Sequence, residues 1–114
     1  MVLLRRELGD VLREERQHQG RTLREVSASA AVSLGYLSEV ERGEKEASSE
    51  LLASICKALD LPMSRMLTDV ADRVSLAETA EQQLSTVLAD GLAKPIRHPE
   101  PVVQTKRRLI SSAA

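Results

Sequence analysis

Thr22-Leu-Arg-Glu25 and Ser33, eleven residues further on, place two helix starts so close together that only a short helix and a tight turn fit between them. In a capping box of this kind the threonine hydroxyl accepts from the amide three residues on, and the glutamate carboxylate accepts from the cap amide. The first helix therefore carries Leu23 and Val26 inward and runs to about Ser29, before Ser33 caps the next. That second helix, Leu34 to Arg42, buries Leu37 and Val40 and stops at Gly43, which suits a left-handed C-cap.

The flanking sequence supplies what this pair packs against. Upstream, Leu4, Leu8, Val11 and Leu12 fall at i, i+4, i+7 and i+8, the stripe of an amphipathic helix that Gly20 ends. Downstream, Ser48-Ser49 can cap a fourth helix with Leu51, Leu52, Ile55, Cys56 and Leu59 on one side, closed before Pro62. Met63, Met66 and Leu67 mark a short fifth helix. Val70, Val74, Ala77, Leu84 and Leu88 then recur at spacings suited to a coiled-coil seam, interrupted at Glu81, and predict a sixth helix for self-association. From Lys94 the chain carries Pro95, Pro99 and Pro101, then Lys106-Arg107-Arg108, and is expected to be extended or mobile.

Composition agrees with an all-α chain. The 114 residues hold one small domain and an appendage. There is no Phe, no Trp and one Tyr, so the core must be aliphatic, built from Leu, Val, Ile, Ala and Met, and a composition this poor in aromatics favours helices over sheets. One cysteine excludes an intramolecular disulfide; Cys56 lies on an inward stripe and reads as a buried structural thiol. His18 and His98 have no ligand-like neighbours, so no metal and no cofactor are expected. The apolar run Val2 to Leu4 is too short for a signal sequence and no stretch could cross a bilayer, so the expected location is the cytoplasm, with no membrane partner.

Charge is distributed unevenly around a formal net of -1: residues 1–70 carry -2, residues 71–93 carry -3 and residues 94–114 carry +4. A uniformly basic nucleic-acid coat is excluded, and DNA binding would have to come from a few aimed cations and helix ends. The Thr22 to Gly43 segment has the dimensions to do this: it is a helix-turn-helix by its lengths and spacing. Opposite Leu37 and Val40, the second helix presents Gly35, Ser38, Glu39 and Arg42, with Leu34 and Tyr36 on the flanks. Such a helix can offer its leading residues to base edges while its cap faces phosphate.

The run Thr22-Leu-Arg-Glu-Val-Ser-Ala-Ser-Ala-Ala-Val-Ser-Leu-Gly-Tyr-Leu-Ser-Glu-Val-Glu-Arg-Gly43, followed by Ser49-Glu-Leu-Leu-Ala-Ser-Ile-Cys-Lys-Ala-Leu-Asp-Leu61, resembles the XRE family of lambda-repressor-like helix-turn-helix domains over about residues 5–70. Within it the chain is similar to the regulators of Clp protease genes, through Gln19 to Ser27 and Val32 to Gly43. The resemblance implies a lambda-repressor-like five-helix domain over 1–69, a dimerisation helix over 70–92 and a flexible basic tail over 93–114. It also implies a structural ion pair between Arg16 and Glu41. Two positions depart from the family pattern: Ala31 stands where the turn usually has Gly, and Ser27 where the first motif helix usually has Ala. A left-handed Ala costs about 1 kcal/mol, so a somewhat different turn geometry is expected there.

The expected major-groove surface is Ser33, Leu34, Gly35, Tyr36, Ser38, Glu39 and Arg42, with Thr22, Arg24, Lys45 and Ser49 toward the backbone. Each has a plainer reading. Tyr36 and Leu34 can cover the edge of the core. Glu39 can accept from a cytosine amino group, orient Arg42, or be a solvated surface residue, and Arg24, Arg42 and Lys45 are phosphate clamps or ordinary surface cations.

No nucleophile beside a base, carboxylate pair or glycine-rich phosphate loop is recognisable, which argues against an enzyme. A transcriptional regulator, an antitoxin sharing the same DNA-binding domain, and a protein-binding adaptor remain. An antitoxin tail normally carries apolar anchors, whereas this one is proline-broken and mostly polar until Leu109-Ile110. The resemblance implies an activator of clp protease and stress-response genes, nucleoid-associated, acting as a homodimer on double-stranded promoter DNA. RNA polymerase is a further implied partner, as is Clp protease acting on the Ser111-Ser-Ala-Ala114 end.

Overall fold

The computed structural model describes residues 1–90, which form five α-helices: α1 (Leu4–His18), α2 (Leu23–Ala30), α3 (Leu34–Glu41), α4 (Ser49–Ala58) and α5 (Met63–Asp90). The tail expected over 93–114 lies outside the described residues. Met1–Gln82 is one compact unit; Gln83–Asp90 are the described part of a second.

Short polar side chains start three of the helices. The capping box of α2 is complete: the Glu25 amide donates to Thr22 Oγ1 at 3.0 Å and the Thr22 amide to Glu25 Oε1 at 2.7 Å. The Ser33 hydroxyl accepts from the Tyr36 amide at 3.1 Å, and the Ser48 hydroxyl from the Leu51 amide at 3.2 Å. Ser48 is thus the cap of α4, and Ser49 is its first helical residue.

One device ends α1 to α4. A residue with positive φ, in turn Gly20, Ala31, Gly43 and Asp60, lets its own amide and the one after it reach back to the last carbonyls of the helix. In α2 the Ala31 amide donates to Ala28 O and the Val32 amide to Ser27 O. In α3 the Gly43 amide donates to Val40 O and the Glu44 amide to Glu39 O. This is the Schellman arrangement. The motif turn therefore keeps the left-handed geometry with an alanine in it, at φ 57° and ψ 42°, instead of adopting a different one. Its strain is held by these hydrogen bonds and by Ala30 and Val32 packing at its two ends.

The core is aliphatic, with Leu12, Val26, Leu37, Val40, Ile55, Leu59 and Met66 fully buried. Through it α2 packs on α3 and α4, and α1 packs on α3. Leu8, Val11 and Leu12 join the packing, whereas Leu4, at the first residue of α1, is 63% exposed. Gly9 permits the α1–α3 crossing: a Cβ there would stand 2.4 Å from the Val40 carbonyl oxygen and 2.6 Å from that of Glu41. Ser27 is buried and donates its hydroxyl to the Arg24 carbonyl at 3.0 Å, which satisfies the polar atom that replaces the family's alanine. Cys56 is buried, and burial pushes its thiol up, away from thiolate reactivity.

The expected fifth and sixth helices are one. Nothing between Leu67 and Val70 breaks a helix, and the Thr68 hydroxyl donates to Ser64 O inside it. Met66 and Val70 are both core residues, one helical turn apart, and Val74 packs against the same core. Arg73 fastens the same stretch to α1, donating to Glu7 at 3.1 Å, Asp10 at 3.0 Å and Glu14 at 2.9 Å. The boundary expected at 69/70 falls inside this continuous helix.

Candidate nucleic-acid interface

Leu37, Val40 and Glu41 seat α3 in the protein and leave its leading end outward. Ser33, Leu34 and Gly35 are exposed there; a Cβ on Gly35 would meet nothing within 4 Å, so this edge is open space. The Ser33 hydroxyl is committed as an acceptor to its cap but keeps its own proton to donate.

Tyr36 is half-buried. Its ring packs against the core and its hydroxyl donates to the Glu46 carbonyl at 3.0 Å, tying the α3–α4 connection to the helix. Tyr36 therefore covers the core edge, and it does so from the leading turn of α3.

Further along, Arg42 Nε and Nη2 donate to the two Glu44 oxygens at 2.9 and 3.0 Å, and Nη1 donates to the Ser38 hydroxyl. The hydrogen bonding between Arg42 and Glu44 holds the guanidinium above its usual value and the carboxyl below its own. Glu39 lies 3.5 Å from Lys45 Nζ. The carboxylate that orients Arg42 is thus Glu44, which the Schellman turn at Gly43 folds back onto the helix; Glu39 pairs with Lys45. From α1, Arg5 Nε donates to the Gly43 carbonyl at 2.9 Å and Arg5 Nη1 approaches Glu46 at 3.9 Å. A Cβ at Gly43 would stand 2.8 Å from Arg6 Cα, so α1 lies directly under the turn.

The structure therefore brings together Ser38, Arg42 and Glu44, Glu39 and Lys45, and Tyr36 and Glu46. Thr22, Arg24 and Ser49 are exposed at the starts of α2 and α4 and join none of these pairs among the described residues. Glu44, Glu46 and Arg5 were not singled out from sequence. The Arg42-Gly43-Glu44 order was the available signal, because a left-handed residue between two opposite charges can bring them to one side.

Beneath the surface, Arg16 Nε and Nη2 donate to the two Glu41 oxygens at 2.8 and 3.1 Å, and Nη1 donates to the Arg21 carbonyl at 2.9 Å. The stripe expected for dimerisation divides. Val70, 4% exposed, belongs to the core of its own chain, because the first part of α5 packs on the domain. Val74 packs on that core and Ala77 is half-buried, while Leu84 and Leu88 are 59% and 73% exposed. Among the described residues no helix is long and apolar enough to cross a membrane, and no group of side chains could hold a metal ion.

Residues 12–66 match the helix-turn-helix family model HTH_3. The chain is 63% identical to the transcriptional regulator ClgR of Mycobacterium tuberculosis over 77 residues, 68% of this chain and 69% of that one. The crystal structure of the clp gene regulator ClgR from Corynebacterium glutamicum aligns with a TM-score of 0.70 at 45% identity, covering 75% of this chain and 92% of that one. The restriction-modification controller protein C.Esp1396I, a tetramer in complex with its natural 35 base-pair operator, aligns with a TM-score of 0.55 over 62% of this chain and 99% of its own. At 17% identity that likeness extends to the fold alone.

Proposed function

This chain belongs to the XRE-type helix-turn-helix family of transcriptional regulators, which are not enzymes, and we propose that it binds promoter DNA of clp protease and stress-response genes as a homodimer and activates them. The observation that carries this reading is the 63% identity to ClgR over 77 residues. The outward leading end of α3 supports it: a capped helix start, an open edge at Gly35 and a half-buried tyrosine offer donors and apolar surface at the scale of the major groove.

In this reading Ser33, Leu34, Gly35, Tyr36, Ser38, Glu39 and Arg42 meet base edges, and Thr22, Arg24, Lys45 and Ser49 meet the backbone. The exposed leucines of α5 join two copies, so that paired half-sites are read together. Residues 1–69 supply the reading head, 70–92 the pairing element, and 93–114 a basic tail on which Clp protease acts. RNA polymerase is the partner through which promoter binding becomes activation. The protein works in the cytoplasm, on the nucleoid.

Footprinting on the promoters of clp protease genes, with transcription measured with and without the protein, tests the proposal. Protection upstream of the polymerase site with raised transcript is the expected result. Protection with lowered transcript would reverse the sign of regulation, and no protection would remove the target assignment.

A further inference from the structure

Both cations at the trailing end of α3 are held by carboxylates of the same chain, Arg42 by Glu44 and Lys45 by Glu39. The Arg42 pair is the more organised of the two. A two-point fork between a guanidinium and a carboxylate has the donor geometry that a phosphate would also take. Glu44 thus occupies the edge of Arg42 that the DNA backbone would use, and Ser38 holds the remaining terminal nitrogen. Glu44 is placed by the backbone, not by the chance of a long side chain: its amide is fixed to Glu39 O at 2.9 Å, and the Gly43 turn before it lies against Arg6.

An exposed pair of this sort contributes little to stability. Its consequence for DNA is larger, because non-specific affinity comes from cations that release counterions when they meet phosphates. A cation already matched by its own carboxylate contributes little to that release. Building on the DNA-binding reading above, we infer that Glu44 is a specificity-determining positioning residue: it withholds Arg42 from phosphates and keeps its guanidinium beside Ser38 on the base-reading side of α3. Duplex DNA of arbitrary sequence then gains little from Arg42, and only a site with the right base edges engages it.

The test begins with duplexes selected from a random pool by the wild-type protein. Affinities for the selected duplex and for a scrambled one are measured across a salt series. One freed cation adds about one phosphate contact, which steepens the salt slope by about 0.9 and corresponds to about fivefold in affinity at physiological salt. Glu44→Gln, exposed and expected to fold normally, should tighten binding to the scrambled duplex by that factor and improve the selected duplex less, so the ratio of the two falls.

Glu50→Gln, which removes the same charge at the exposed start of α4, should not reproduce the gain, and the gain should vanish in an Arg42→Ala background. Equal gain from Glu50→Gln, gain that persists without Arg42, or no gain at all would each overturn the inference. A wild-type protein that selects no sequence would overturn the DNA-binding reading itself, and the inference with it.

Discussion

Arg16 and Glu41 form a two-point ion pair between α1 and α3, with side chains 12% and 5% exposed. The guanidinium uses its third nitrogen on the Arg21 carbonyl, so the pair also anchors the start of the motif. Glu41 follows Val40 on the buried side of α3 and is one residue before Arg42, so the pair sets how α3 is rotated in its seat. Removing one partner leaves a buried charge without its counter-ion, a change that costs about 3 kcal/mol or more. Glu41→Ala should therefore lower the melting temperature by more than about 10 °C, read by circular dichroism. Melting at the wild-type temperature would show that the pair is dispensable.

Ala31 offers the opposite change. Its φ of 57° lies in the region where a Cβ clashes with the following carbonyl, and the penalty is about 1 kcal/mol. Ala31→Gly removes that strain while keeping the amide that donates to Ala28 O, and the greater freedom of glycine in the unfolded chain offsets part of the gain. A rise in melting temperature of a few degrees is expected, with DNA affinity unchanged. A fall would mean that the alanine methyl is worth more in contacts than it costs in strain.

The helix starts and stops were legible because they depend on local chemistry: Thr22 with Glu25, Ser33 and Gly43 each act within a few residues of themselves. Relationships between distant segments were not. Gly9 reads as an indifferent helix residue until α3 is seen to cross it at 2.4 Å from a would-be Cβ. Arg73 looks like a surface charge until α5 lies along α1 and brings it to Glu7, Asp10 and Glu14, which share a face of α1 through their i, i+3 and i+7 spacing. The resemblance implied Arg16 with Glu41; no sequence period relates residues 25 positions apart on two different helices. On the candidate interface, α3 supplied the residue list, but the ordering of Arg42 by Glu44 required the turn between them.

Tyr36 and Arg24 should separate two kinds of DNA contact. Tyr36 lies at the leading turn of α3, so Tyr36→Ala should weaken the selected sequence by about 1 to 3 kcal/mol and reduce discrimination. Tyr36→Phe keeps the ring and loses only the bond to Glu46 O, so it should retain most of that discrimination. Arg24, exposed on the first turn of α2, should contribute equally to all sequences. Arg24→Ala is expected to weaken selected and scrambled duplexes alike and to reduce the salt slope by about one. Wild-type behaviour in both Tyr36→Ala and Arg24→Ala would place the interface elsewhere.

The pairing surface is tested best beyond the part of α5 that the domain itself uses. Cutting after Thr68 would remove Val70 from the core and Arg73 from its three carboxylates, so loss of binding there would report unfolding as readily as loss of a dimer. Leu84 and Leu88 lie one helical turn apart near the end of α5, and their 59% and 73% exposure leaves apolar area that burial against a second copy would remove from water. Leu84→Glu with Leu88→Glu places two like charges on that surface without touching the core. In sedimentation equilibrium the double variant should be a monomer, while its melting of the Met1–Gln82 unit at low protein concentration should match that of the wild-type chain. Operator affinity should fall steeply, because a single α3 then reads one half-site. A double variant that still sediments as a dimer would move the interface off the end of α5.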